Sequence, residues 1–228
     1  MKKQKTIWES STPAPPTVQR LATNGSILKL SVEQIAGFDV REASFHDGIL
    51  LFCRDSVIAL FEFLEDGVLT KSKLGWILGP PGSGKFVAAA AFALSLDQSR
   101  WTVTWISVAR GKAPPHCVRL EVNCKKTVSL KHPADMAKLL EQVSDISKKR
   151  AVFLDGLIPS RHDDEQVECL KWLEADRENR RLVIASSIAI RGENTEVADD
   201  LLGVEEYFLF SWTLDKYLEA TRNDDLFA

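Results

Sequence analysis

The stretch Leu74-Gly75-Trp76-Ile77-Leu78-Gly79-Pro80-Pro81-Gly82-Ser83-Gly84-Lys85-Phe86-Val87 decides how the rest of the chain is read. Its first five residues form a short apolar run of strand length, and Gly79 to Gly84 stop that run. An Ala-rich stretch from Lys85 to Asp97 follows. Strand, glycine loop, helix is the setting that the phosphate-binding pattern G-x-x-x-x-G-K requires. Gly82 and Gly84 admit backbone torsions closed to other residues, so successive amide N–H groups can turn inward around a phosphate. A helix opening at Lys85 adds its positive end and its unpaired N–H groups, and the Lys85 ammonium is long enough to reach β and γ phosphates. Gly79, Pro80, Pro81, Gly82, Ser83, Gly84, Lys85, Phe86 and Val87 are therefore the candidate nucleotide-binding residues, with ATP or GTP as the ligand and Mg²⁺ as its ion.

The eighth position departs from the pattern. A Ser or Thr hydroxyl that would ligate Mg²⁺ is expected there, and the chain has Phe86. Either phosphate oxygens, water and Asp155 hold the ion without it, or the loop binds nucleotide weakly and turns it over poorly. Asp155 follows the apolar run Ala151-Val152-Phe153-Leu154, the position of an aspartate that holds Mg²⁺ at the C-terminal edge of a strand. The alternative is an ordinary strand-ending Asp-Gly turn, since Gly156 comes next. Lys85 and Asp155 are the candidate catalytic residues, and Asp155 is the candidate metal ligand. The glutamate often found directly after such an aspartate is replaced by Gly156, so the general base is unassigned. Ser186-Ser187 could place a hydroxyl near a γ phosphate, but a strand that ends in Ser is the preferred reading. Arg191 is read as a solvated loop arginine rather than a charge stabiliser.

Working outward, apolar strands alternate with amphipathic helices. Strands are expected at Trp101 to Val108, Val118 to Val122, Ala151 to Leu154, Leu182 to Ala185 and Tyr207 to Phe210. Helices are expected at Asp55 to Val68, Ala134 to Ile146, Asp164 to Glu178 (Val167, Leu170 and Leu173 inward) and Thr213 to Ala220. Buried strands alternating with helices imply an α/β fold, a P-loop NTPase-like three-layer arrangement around a mainly parallel sheet. Residues 1–25, rich in Pro and Lys with no apolar period, read as a flexible arm. Residues 26–72 read as an N-terminal extension packing on the core, and 73–228 as the P-loop domain.

Composition narrows the field. With 228 residues, 45% of them hydrophobic and 27% charged, the chain is globular rather than disordered or fibrous. A net charge of −3 gives no overall attraction to nucleic acid or to an anionic membrane. No apolar stretch approaches the roughly 18 residues of a membrane-spanning helix, and no membrane partner is expected. The basic start Met1-Lys2-Lys3-Gln4-Lys5 is not followed by the apolar block of a signal peptide. Cys53, Cys117, Cys124 and Cys169 are spaced as reduced thiols, and His116 and His132 lack ligand spacing. Charge is segregated. Residues 100–150 carry a net +7 and 193–228 a net −8. The basic segment could meet nucleic acid or an acidic protein, but a solvated face that pairs with the acidic tail is the preferred reading.

The loop with its strand, the run Ala91-Phe92-Ala93-Leu94-Ser95-Leu96-Asp97 and Trp101-Thr102-Val103-Thr104-Trp105-Ile106 together resemble the NTPase region of Crinkler effectors of oomycetes. Phe153-Leu154-Asp155-Gly156, Arg180 to Ser187 and Ser211-Trp212-Thr213-Leu214-Asp215-Lys216-Tyr217-Leu218 are similar to later blocks of that family, so the likeness spans about residues 45–222. The resemblance implies a P-loop NTPase module of a protein secreted by a plant pathogen and acting inside host cells, often in the nucleus, with a host protein or nucleic acid as partner. It places nucleotide phosphates on Gly79 to Lys85 and Mg²⁺ on Asp155. The family's translocation header is not evident in residues 1–45, and a standalone or truncated module is expected.

Overall fold

In the computed structural model the described residues are 7–19, 23–38, 48–71, 74–108, 113–132, 134–158, 161–187 and 203–222. In chain order the elements are β1 (Ser10–Thr12), β2 (Ser26–Leu30), α1 (Val32–Ile35), β3 (Ile49–Cys53), α2 (Asp55–Glu62) and a π-helix (Phe63–Thr70). Then come β4 (Leu74–Gly79), α3 (Lys85–Ser95), β5 (Trp101–Ser107), β6 (His116–Glu121), β7 (Cys124–Ser129) and α4 (Ala134–Glu141). The chain continues through β8 (Lys149–Leu157), α5 (Asp163–Ala175), β9 (Arg180–Ser187), β10 (Val204–Phe208) and α6 (Leu214–Thr221).

The continuous apolar runs become the interior strands, because a strand covered on both faces has no side to leave polar. Eight strands form one sheet in the order β1-β7-β6-β5-β8-β9-β4-β10, and β2 and β3 pair separately. From β5 to β10 every pairing is parallel, while β6, β7 and β1 add antiparallel strands at one edge. The chain is thus a mixed α/β fold with a large, mostly parallel sheet. Alternate residues of each strand serve opposite faces. Ile77, Trp105, Phe153 and Val183 join α2, α3 and the β2/β3 pair in one apolar layer, whereas Trp76, Ile106, Leu154 and Ile184 join α4 and α5 in the other. Ala88 to Ala91 are all buried, and these small side chains let α3 lie close on the sheet.

Several expected elements differ. Within the expected flexible arm, residues 7–19 are packed. β1 pairs antiparallel with β7, the Ile7 amide donates to Gln142 Oε1 at 3.1 Å, Trp8 lies 4.7 Å from the Arg119 guanidinium, and Val18 is buried. α4 stops at Glu141 instead of Ile146, and Val167 on α5 faces solvent while Cys169, Trp172 and Leu173 turn inward. The helix expected over 55–68 is α-helical only to Glu62 and continues as the π-helix. Cys53, Cys117 and Cys169 are buried free thiols and Cys124 is a half-buried one. Among the described residues, no helix is long and apolar enough to cross a membrane.

Candidate functional site

β4 delivers Gly79 to the C-terminal edge of the sheet, opposite Ser187 of β9. The chain then turns through Pro80 to Gly84, with the Ser83 amide donating to the Pro80 carbonyl at 3.3 Å. Gly82 and Gly84 have φ of 77° and 87°, and a β-carbon built at either meets nothing within 4 Å. Both torsion and open space are what an inward-turned loop needs. Gly84 caps α3 without a side-chain bond, and the first turn of that helix carries no acidic residue. The positive end of an eleven-residue helix therefore stands at the loop with no carboxylate of its own to neutralise it. Ser83 is 2% exposed, and its hydroxyl has no hydrogen-bond partner.

Lys85 Nζ donates to the carbonyls of Gly79 at 2.8 Å and Pro80 at 2.9 Å, so the ammonium lies back on its own loop. Phe86 turns the other way. Its ring meets Trp105 edge-on at 5.3 Å, Trp105 stacks on Phe153 at 5.9 Å, and Phe38 packs on Trp105 at 5.1 Å. The position that would supply an ion-binding hydroxyl is thus part of an aromatic cluster. Val87 packs half-buried on the same layer.

Asp155 lies near the end of β8, half-buried, in register with Ser107 of β5 and Ala185 of β9. Its carbonyl accepts from the Val108 amide at 2.9 Å, and the register shifts across Gly156, whose φ is 81°. The loop and Asp155 share the same edge of the sheet, with β9 between their strands. Mg²⁺ is usually held by one or two carboxylates plus substrate phosphates and waters. The Asp155 carboxylate, without a hydroxyl at Phe86, fits an ion whose remaining ligands come with the nucleotide. The Ser186 hydroxyl donates to the Leu157 carbonyl at 3.2 Å and so serves the sheet. Arg191 lies outside the described residues.

Two neighbours escaped the sequence reading. Arg54, just before α2, is buried. Its Nη2 donates to the carbonyls of Ser83 at 2.9 Å and Phe210 at 2.7 Å, and its Nη1 to that of Ser211 at 3.3 Å. Its guanidinium lies 5.2 Å from the Trp212 ring. Burial lowers its pKa, with the charge of Tyr207 opposing. Ser107, beside Asp155, accepts from Trp105 Nε1 at 3.0 Å and donates to the Phe38 carbonyl at 3.2 Å. Only its place at the end of the Trp101 to Val108 run hinted at it.

The basic segment is largely committed to the fold. Arg119 is buried under Trp8, with its guanidinium bound to Thr104, Leu139 and Gln142. Arg150 pairs with Glu141 and Asp176, and Lys126 with Glu121. Burial would raise the Glu121 pKa, but hydrogen bonds from Lys126 and Ser144 outweigh it and hold the carboxyl low. These partners are local carboxylates and carbonyls. Arg110 and Lys112 lie outside the described residues.

No family model and no curated protein matches the chain. Among solved structures it is similar to C. elegans PCH-2, with a TM-score of 0.36 and 14% identity over 68% of this chain and 41% of that one. It is also similar to the Phi-28 gp11 DNA packaging motor, with a TM-score of 0.24 and 14% identity over 75% of this chain and 59% of that one. The chain spans less than two thirds of the length of either.

Proposed function

We propose that the chain is a P-loop NTPase-like module that binds ATP or GTP on Gly79 to Lys85 with Mg²⁺ near Asp155, and that it hydrolyses nucleotide slowly or serves as a nucleotide switch. The carrying observation is the loop itself: two open left-handed glycines before a buried helix whose first turn carries no acidic residue. Its place at the C-terminal edge of a parallel sheet is where α/β folds bind ligands. In this reading the loop amides take the phosphates, and the Lys85 ammonium exchanges the carbonyls of Gly79 and Pro80 for phosphate oxygens. Asp155 holds the ion, which lowers the charge on the phosphates. Slow turnover follows from Phe86, which brings no hydroxyl, and from Gly156, which stands where a glutamate often follows such an aspartate.

The Crinkler resemblance supports extending the proposal to an effector module that is secreted and acts in a host cell, in its nucleus as is often so for that family, with a host protein or nucleic acid as partner. A second reading is a non-hydrolysing NTPase fold that serves only as an interaction module. It is favoured by Phe86 in the aromatic cluster and by Lys85 bound to its own loop.

Thermal unfolding with and without saturating ATP or GTP separates the two, because a ligand that binds only the native state raises its stability. The proposal expects a raised Tm in the wild type, and in Asp155→Asn a nucleotide shift that no longer grows with Mg²⁺. A folded wild type whose Tm neither nucleotide moves would leave the interaction module.

A further inference from the structure

β4 has β9 on one side and β10 on the other, and Asp155 lies on β8, beyond β9. With the terminal phosphate and ion toward Asp155, the β10 side is the flank of β4 left for the rest of the nucleotide. There the chain after β10 runs Leu209-Phe210-Ser211-Trp212 against the loop. The Leu209 amide donates to the Leu78 carbonyl at 2.7 Å, and a β-carbon on Gly79 would come within 2.2 Å of the Leu209 carbonyl. One nitrogen, Arg54 Nη2, holds both the Ser83 carbonyl of the loop and the Phe210 carbonyl of this segment. Trp212 is pinned between Arg54 at 5.2 Å and Phe52 at 5.9 Å. Beside this fixed backbone, Phe210 is 67% exposed.

The geometry points to a base-binding subsite on the β10 side of the loop, in which Phe210 stacks on the base of a nucleoside triphosphate and Arg54 and Trp212 hold that rim in place. This rests on the loop being a nucleotide site, and it names the ligand as a nucleotide rather than a bare polyphosphate or a phosphorylated small molecule. An aromatic ring on a rim held by the part-buried Arg54 hydrogen bonds offers its face without ordering a mobile segment, and base–aromatic stacking tolerates different bases.

The test compares ATP with inorganic tripolyphosphate by calorimetry on the wild type, Phe210→Ala, Phe210→Trp and Tyr217→Ala, the last an exposed aromatic of α6 outside the Leu209-Phe210-Ser211-Trp212 segment. ATP should bind the wild type more tightly than tripolyphosphate. Phe210→Ala should weaken ATP about 5- to 150-fold, leave tripolyphosphate unchanged and so remove the preference. Phe210→Trp and Tyr217→Ala should keep it. Unchanged tripolyphosphate binding in Phe210→Ala also shows that the loop is intact. An ATP preference that survives Phe210→Ala overturns the subsite while sparing the loop. A folded wild type that binds neither ligand overturns the loop reading and the subsite together.

Discussion

At Phe86 the loop departs from its pattern, and the packing shows what the departure does. The side chain that would face a magnesium ion instead completes a cluster with Trp105, Phe38 and Phe153. Phe86→Ser should therefore act in two directions. Loss of the half-buried ring should cost about 2 kcal/mol in urea unfolding, while the new hydroxyl should raise Mg²⁺-dependent hydrolysis several-fold in a steady-state phosphate-release assay. Flat turnover would mean that the missing hydroxyl is not the limiting defect. The loop residues and Asp155 were legible because spacing and a preceding apolar run are local properties. Arg54 was not, because its bonds reach carbonyls 29, 156 and 157 residues away. Nothing beside it in the sequence distinguishes it from a solvated arginine.

At the scale of the elements, the apolar strands were legible and the polar pair β1 and β7 was not. A strand buried on both faces reads as an unbroken apolar run, as Val152 to Leu154 and Leu182 to Ala185 do. β7 carries Lys125, Lys126 and Thr127, and β1 is Ser-Ser-Thr with every residue exposed. Neither shows a period: β1 is an edge strand and β7 lies just inside it, where backbone pairing more than burial sets the place of a strand. Removal of the Trp8 cover tests whether the N-terminal segment is an integral part of the sheet. Trp8→Ala uncovers the buried Arg119 and should cost about 2 kcal/mol in urea unfolding. ATP affinity should not change, since β1 and the loop strand β4 lie toward opposite ends of the sheet. No loss of stability would mean that the segment contributes nothing to the fold.

Across the whole molecule the charge segregation seen in the sequence becomes internal wiring. Of the basic segment, Arg119 and Lys125 are buried on carbonyls, and Lys126 and Arg150 pair with Glu121, Glu141 and Asp176. Burial pushes Arg119 down to about 10, with Glu121 opposing, and Lys125 down to about 8, with Glu33 opposing. Lys125 Nζ donates to the carbonyls of Glu33 and Gln34, which ties α1 to β7. Its folded pKa is below the unfolded value of 10.5, so the unfolded chain holds more protons between the two, and stability rises with pH across that window. The penalty is full below about pH 8 and is relieved toward about pH 10.5. Relative to Lys125→Met, the wild type should gain about 2 kcal/mol over that range in urea unfolding. A pH-independent difference would mean that the ammonium titrates in the folded protein as it does in water.

The central claim is that the Gly79 to Lys85 loop holds a nucleotide, and direct titration of a fluorescent ATP analogue into wild type and Lys85→Ala, both checked for folding, tests it most directly. The wild type should bind saturably and Lys85→Ala should lose that binding. Equal affinity in the two proteins, or no binding by folded wild type, would contradict it.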